Sequence, residues 1–441
     1  MSQILIFTGK GGVGKTSVAA AHAALSAGLC TSGCDKADSL IRNGTESGQF
    51  LLPEMEEGTA KQGAGKRANT LLVSADMAHN LGDIFQVRAG GRVREIAPGL
   101  SLLELDPYLL MREEYPNVNR AVASLSGSAG AALDRIGDGF MIPGFENLFC
   151  LLKIRDLYRS GLYDRIIVDC APTGETLSLL KLPELLSWYV EKFSPVGRML
   201  TRLLTPAARL RYHMELPDGA AMDELGQLFA DLIGLQELLK DPGACRVRLV
   251  CIPERMVVEE TRRSYMYLNL YNYPVDAVFI NRILPEKTGS GFMEHWRQTQ
   301  AGYLAELESV FTELPVLRIP WYPAEVRGME AVQRFGGSIR VGADAAGISD
   351  LFHLPVRTDN EVYERTEDGY RLTVRIPGGE REEVQAAMHG TDLDIRIRNF
   401  QRSIPLPGVL RGAKLLSVEV EDGRLSAAFR LRGLHEKIND R

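Results

Sequence analysis

The stretch from Phe7 to Ser17 reads F-T-G-K-G-G-V-G-K-T-S, and Gly9 to Thr16 within it spell G-x-x-x-x-G-K-[ST]. Its flanks make it the strongest constraint on the fold. Ile4 to Phe7 is short, apolar and β-prone, and Val18 to Ala27 is Ala-rich and predicts a helix. Strand, glycine loop and helix in that order is the setting a phosphate-binding loop requires. Gly9, Gly11, Gly12 and Gly14 let the backbone curl so that successive N–H groups face phosphate oxygens, with Lys10, Val13 and Ser17 completing the binding loop. The helix N-terminus adds its positive dipole end. Lys15 is expected to reach the β- and γ-phosphates of ATP, and the Thr16 hydroxyl to hold Mg²⁺.

Further strands supply acids to the same crevice. Thr70 to Ser74 is a strand that runs into Ala75-Asp76. An acid just past a strand's C-terminal end faces the ligand crevice of a parallel sheet, so Asp76 is placed to orient or activate a water. Asp164 to Asp169 (D-R-I-I-V-D) is a buried-type strand closed by an acid, the pattern whose carboxylate, Asp169, holds the magnesium shell. Leu100 to Leu105, Val247 to Ile252, Val275 to Ile280 and Val316 to Ile319 read as further strands. The last three end in Pro253-Glu254, Asn281-Arg282 and Pro320 to Pro323. The fold class is α/β: a P-loop NTPase with a mostly parallel sheet and a helical layer, followed by an all-β sandwich.

The ATPase domain is expected over residues 1–335. It carries an insertion at about 30–68, rich in Gly, Ser, Thr and charge, and a helical region at about 107–240. Met222 to Leu239 has the i, i+3, i+4, i+7 apolar spacing of an amphipathic helix and stops at Asp241-Pro242-Gly243. Small residues without a period over 336–351 predict a linker. Beyond it, Tyr370, Leu372, Val374 and Ile376 alternate with polar residues, as do Leu393, Ile395 and Ile397. Leu416, Val418 and Val420 lead to Asp422-Gly423, a hairpin signal. A self-contained sandwich over 352–432 follows, and truncation near Gly347 is expected to leave a folded ATPase.

A formal net charge of −6 does not favour nucleic acid. The six cysteines are scattered with no C-x-x-C, so no zinc site or redox pair is expected. No apolar run is long enough to span a bilayer, and the N-terminus enters a strand directly, which reads as a cytoplasmic protein.

In this order the motifs resemble those of the arsenite-pump ATPases and their relatives, the cytosolic ATPases that deliver tail-anchored membrane proteins. G-K-G-G-V-G-K-T at Gly9 to Thr16 matches the family's deviant Walker A loop. S-A-D-M-A-H-N-L at Ser74 to Leu81 is similar to its first switch, and D-C-A-P-T-G-E-T at Asp169 to Thr176 to its second. Ala324 to Gly328 matches its H-E-V-R-G stretch. The resemblance implies a homodimer in which Lys10 reaches the partner's nucleotide, nucleotide contacts from Glu254 and Asn281 (the latter reading adenine), an apolar client such as a transmembrane segment, and a membrane receptor as a further partner. It also implies catalytic roles for Asp76, Lys15 and Lys10, and metal roles for Thr16 and Asp169. Met77, Cys170 and Glu175 depart from the family's proline, threonine and histidine. The C-terminal piece resembles an α-crystallin domain without an I-x-I tail. An arsenite-stimulated pump subunit and a holdase-type chaperone are the alternative readings. A DNA- or membrane-positioning ATPase lacks the basic patch or targeting helix it would need.

Overall fold

The computed structural model describes residues 2–30, 67–76, 80–116, 146–170, 180, 219–285, 291–357, 360–367, 369–398, 400–410 and 412–431. Most of the insertion, Met77 to His79 of the first switch, Ala171 to Thr176 of the second, and much of the helical region lie outside the described residues. The architecture is a large, mostly parallel sheet with helices, followed by antiparallel sheets. Chain contacts divide it into two units: Met1–Arg246 with Tyr322–Asp344, and Val247–Trp321 with Ala345–Arg441.

In the first unit, β1 (Gln3–Thr8) leads through the glycine loop into α1 (Lys15–Ser26). β2 (Thr70–Ser74) is followed by the short α2 (Leu81–Phe85), then by β3 (Arg94–Ala97) and β4 (Leu100–Glu104). α3 (Glu146–Arg159) precedes β5 (Arg165–Asp169), and α4 (Gly219–Lys240) closes this run. The strand order is β3-β4-β2-β5-β1. β4, β2, β5 and β1 are parallel, and β3 is an antiparallel edge. β1, β2 and β4 are buried throughout and β5 almost so, as expected of parallel strands covered on both faces. The order sets β5 and then β2 beside the loop strand, so the acids at their ends come to the loop.

α4 ends where the sequence predicts. Asp241 accepts the Gly243 N–H at 2.8 Å, turning the chain after the helix. The linker expectation over 336–351 is corrected: α7 (Met329–Ala345) is helical through most of that range. The glycine that suggested a linker serves close approach instead. A Cβ on Gly336 would lie 2.7 Å from Cys30 Sγ and 3.4 Å from the Ala21 carbonyl. The break falls at Gly347, φ 72°.

In the second unit, β6 (Cys245–Cys251), whose first residues belong to the first unit, runs parallel to β7 (Val275–Ile283), and β7 to β8 (Val316–Pro320). α5 (Arg255–Leu270) and α6 (Gly291–Val310) make the crossovers. The C-terminal strands are β9 (Glu361–Thr366), β10 (Gly369–Arg375), β11 (Val384–His389), β12 (Asp392–Ile397), β13 (Phe400–Pro405), β14 (Lys414–Glu421) and β15 (Arg424–Arg430). They form two antiparallel sheets, β14-β15-β10-β9 and β11-β12-β13. Leu372, Val374, Leu393, Ile395 and Ile397 are fully buried, which fits their alternation. Asp422 and Gly423 both have positive φ (49° and 68°), the primed turn that matches strand twist. Leu416 departs from the expected inward face. It lies in a register shift between Leu415 and Ser417 and is 44% exposed, because a bulge re-aims its side chain.

This sandwich shares extensive polar contacts with the rest of the unit. The Arg402 guanidinium donates to the Leu270 carbonyl at the end of α5 and pairs with Glu361, and the Tyr271 hydroxyl donates to the Gln401 carbonyl at 2.6 Å. Arg375 and Arg357 both pair with Glu313. Arg248 on β6 and Asp276 on β7, both with no exposed surface, form a bidentate pair, and Arg248 also donates to the Leu351 carbonyl.

Candidate functional site

The phosphate-loop glycines have the backbone the motif requires. Gly12 (φ 82°) and Gly14 (φ 91°) lie in the left-handed region, where a Cβ is strained. Gly14 is the N-cap of α1 and no side chain caps the helix. The first N–H groups of α1 therefore have no side-chain acceptor and are available to an anion. Val13 is fully buried and pins the loop to the core, while Gly11 and Gly12 are exposed and Lys10, Gly14, Thr16 and Ser17 half-buried. Lys15 is 7% exposed, and its Nζ donates to the Lys10 carbonyl at 3.4 Å, so the ammonium lies across the loop.

Asp169 sits opposite. Its residue pairs in register with Phe7 on β1 and with Ser74 on β2. Its carbonyl accepts the Ala75 N–H, and the next N–H, of Cys170, donates to the Phe7 carbonyl. The backbone thus holds it between the loop strand and the strand that carries Asp76. The side chain is 1% exposed. Burial pushes its carboxyl up to about 7; a hydrogen bond with Thr16 and the charge of Lys15 pull down, and the charge of Asp76 pushes up. Its Oδ1 has no hydrogen-bond partner among the described residues. A buried anionic oxygen without a partner is costly, and a cation would offset that cost. The donors beside it are all oxygen: the Thr16 hydroxyl, the Asp169 carboxylate and any bound phosphate. That set suits Mg²⁺, which takes one or two protein oxygens plus phosphate rather than a protein cage. No cluster of three or more His, Cys, Asp or Glu that could hold a metal occurs among the described residues.

Asp76 lies just past β2 and is half-buried, its backbone bonded to the Ser74 hydroxyl at 3.3 Å. The fold therefore gathers Lys15, Thr16, Asp169 and Asp76 within one unit. Gly328 (φ 81°), which ends the Glu325-Val326-Arg327-Gly328 stretch, donates its N–H to the Ile84 carbonyl of α2 at 2.6 Å.

Glu254 and Asn281 lie in the second unit. Glu254 is exposed at the N-cap of α5 without capping it. Asn281 is 6% exposed near the end of β7, and its Oδ1 accepts the Arg282 N–H at 2.9 Å, where Arg282 turns into the left-handed region (φ 57°). Gln300 of α6 holds this turn. It donates to the Arg282 carbonyl at 3.2 Å and accepts the Leu284 N–H at 3.0 Å. Nothing in the sequence pointed to Gln300, because its role depends on a helix folding back across the strand end.

No described helix is long and apolar enough to cross a membrane. Two family models match the chain: one for an anion-transporting ATPase over residues 55–340, and one for an HSP20-like domain found in ArsA over residues 367–429. A putative arsenical pump-driving ATPase of Chlorobaculum tepidum is 31% identical over 443 residues, covering 99% of each chain. One from Prosthecochloris vibrioformis is 32% identical over 445 residues, again covering 99% of each. The ATPase get3 of Sclerotinia sclerotiorum is 31% identical over 287 residues, 63% of this chain and 82% of its own. The loop, the two acid-ended strands and these matches agree, and the chain belongs to the anion-transporting ATPase family, whose members hydrolyse ATP.

Proposed function

We propose that this ATPase works as a dimer with Mg²⁺ and couples hydrolysis to the binding and delivery of apolar, membrane-protein-like clients. The observation that carries the hydrolytic part is the orphaned Asp169 oxygen beside Thr16 and Lys15. Thr16 and Asp169 hold the metal, which supplies positive charge to the phosphoryl oxygens. Gly9 to Ser17 cradle the phosphates, Lys15 stabilises the charge that develops on transfer, and Asp76 orients the attacking water. Lys10 acts on the nucleotide of the second copy. Glu254 and Asn281 contact the nucleoside, Asn281 reading adenine. The client reading draws on the resemblance of the loop and switch motifs to the ATPases that deliver tail-anchored membrane proteins; a cytosolic location and a membrane receptor go with it.

The dimer has its own test. Lys10→Ala is expected to lower hydrolysis about 10-fold or more, in the range of lost transition-state contacts, while ATP binding persists. Light scattering should show ATP tightening a wild-type dimer. A fully active, ATP-loaded monomer would contradict the trans role of Lys10.

The two whole-length relatives named as arsenical pump-driving ATPases favour a second reading, a metalloid-stimulated pump subunit. Of the described cysteines, Cys150, Cys170, Cys245 and Cys251 are buried and Cys30 is half-buried. An arsenite titration of the ATPase rate decides this: stimulation supports the pump reading, and a flat response supports the client reading.

A further inference from the structure

β7 does not run evenly to its end. Ile280 pairs with Arg318 on β8 and Ile283 with Pro320, so β7 advances three residues while β8 advances two. The extra residue is taken up where Arg282 turns into the left-handed region, at φ 57°. Such a bulge re-aims side chains at a strand end, and Asn281 stands directly before it.

Four bonds fix the bulge. Asn281 Oδ1 accepts the Arg282 N–H at 2.9 Å, and Gln300 Nε2 donates to the Arg282 carbonyl at 3.2 Å. The Trp321 N–H donates to the Ile283 carbonyl at 2.8 Å, and Gln300 Oε1 accepts the Leu284 N–H at 3.0 Å. Gln300, 7% exposed, supplies two of the four from α6. A left-handed backbone is unfavourable for a residue with a Cβ, so Arg282 keeps it only while its neighbours hold it. A carboxamide suits that task because it offers a donor and an acceptor together; a carboxylate offers acceptors alone.

The consequence falls on Asn281. The oxygen and NH₂ ends of its carboxamide have nearly the same shape, and the Arg282 N–H fixes which is which. In one orientation an asparagine accepts from the 6-amino group of adenine and donates to a ring nitrogen. Turned over, it offers N–H groups to that position, which suits the 6-oxo group of guanine or hypoxanthine instead.

We propose that Gln300 is a positioning residue for base selection: by holding Arg282 left-handed it keeps the Arg282 N–H on Asn281 Oδ1, and so makes the site select 6-amino over 6-oxo purine nucleotides. This rests on the reading of Asn281 as the residue that reads adenine. A glutamine that only anchors α6 would affect stability and act on all nucleotides alike.

The test uses the full-length protein, with thermal melting and steady-state hydrolysis of Mg·ATP and Mg·ITP. ITP carries the 6-oxo group without the 2-amino group of guanine. The wild type should prefer ATP by at least about 10-fold in kcat/KM. Gln300→Met should lower kcat/KM for ATP about 10-fold, chiefly through KM, and change that for ITP less than about twofold. Should Gln300→Met melt early, Gln300→Glu, which keeps the acceptor for Leu284 but not the donor for Arg282, carries the same expectation. Glycine takes left-handed backbone without strain, so adding Arg282→Gly to either variant should restore most of the preference. In the Asn281→Ala background, Gln300→Met should cost little more, because groups acting as one unit are non-additive. An unchanged preference in a folded Gln300 variant, equal losses on both nucleotides, or no recovery with Arg282→Gly would each overturn the proposal. If Asn281→Ala keeps the preference for ATP, the reading of Asn281 fails as well; if it abolishes the preference and the Gln300 variants retain it, only the proposal fails.

Discussion

Ending the chain after Gly347 is expected to destabilise the second unit severely, lowering its melting temperature by roughly 10 °C or more or leaving it aggregated. Composition and strand alternation argue for a separable domain, but the contacts argue otherwise. Removing residues 348–441 deletes Leu351 and Leu354, both nearly buried, and takes the Leu351 carbonyl from Arg248, which has no exposed surface. It takes the Phe400 ring away from Tyr267, which is 1% exposed, and removes Arg402 from the Leu270 carbonyl at the end of α5. Each apolar side chain returned to water costs about 1.5–3 kcal/mol, and a buried polar group left without its partner about 1–3 kcal/mol. A few such terms are a large part of a domain's stability of about 5–15 kcal/mol. Melting and limited proteolysis of the truncated chain check this. A truncated protein that melts as the full chain does and hydrolyses ATP normally would show that the sandwich is an appendage.

Asp76→Asn should bind ATP as tightly as the wild type and turn it over about 10²–10⁴-fold more slowly, the range for a lost positioned base. Asparagine keeps the shape and the backbone bonds to Ser74, which involve only the main chain of residue 76. What changes is the charge and the capacity to accept a proton from water. The substitution also removes a negative charge that raises the Asp169 carboxyl, so metal-dependent binding should not weaken. Stopped-flow binding and steady-state hydrolysis separate the two effects. Near-normal turnover would remove Asp76 from the mechanism.

How much of this was readable from the residues depended on how local the cause is. The phosphate loop is legible because consecutive residues carry both the backbone freedom and the chemistry, and Gly12 and Gly14 adopt the positive φ their type permits. Asp169 and Asp76 follow from apolar runs that end in acids, and β10 and β12 from strict alternation. The parts missed were set by tertiary contact. Gly336 sits in a helix because Cys30 and Ala21 approach too closely for a side chain, and composition alone suggested a linker. β3 is a four-residue antiparallel edge with little burial, too short for a periodic signal. Gln300 bonds back across the end of β7 from a helix 16 and 18 residues further along the chain. The attachment of the sandwich rests on arginines, Arg248, Arg375 and Arg402, whose burial no local pattern announces.

The proposed coupling of nucleotide state to an apolar client is tested most directly by retention of a labelled synthetic peptide of about 20 apolar residues, the length of a membrane span, on full-length Asp76→Asn protein with ATP, with ADP and without nucleotide. The proposed coupling predicts that retention changes at least about 10-fold between the ATP and ADP states, a coupling of about 1.4 kcal/mol. Equal retention in all three conditions would contradict it and leave a nucleotide-independent holdase.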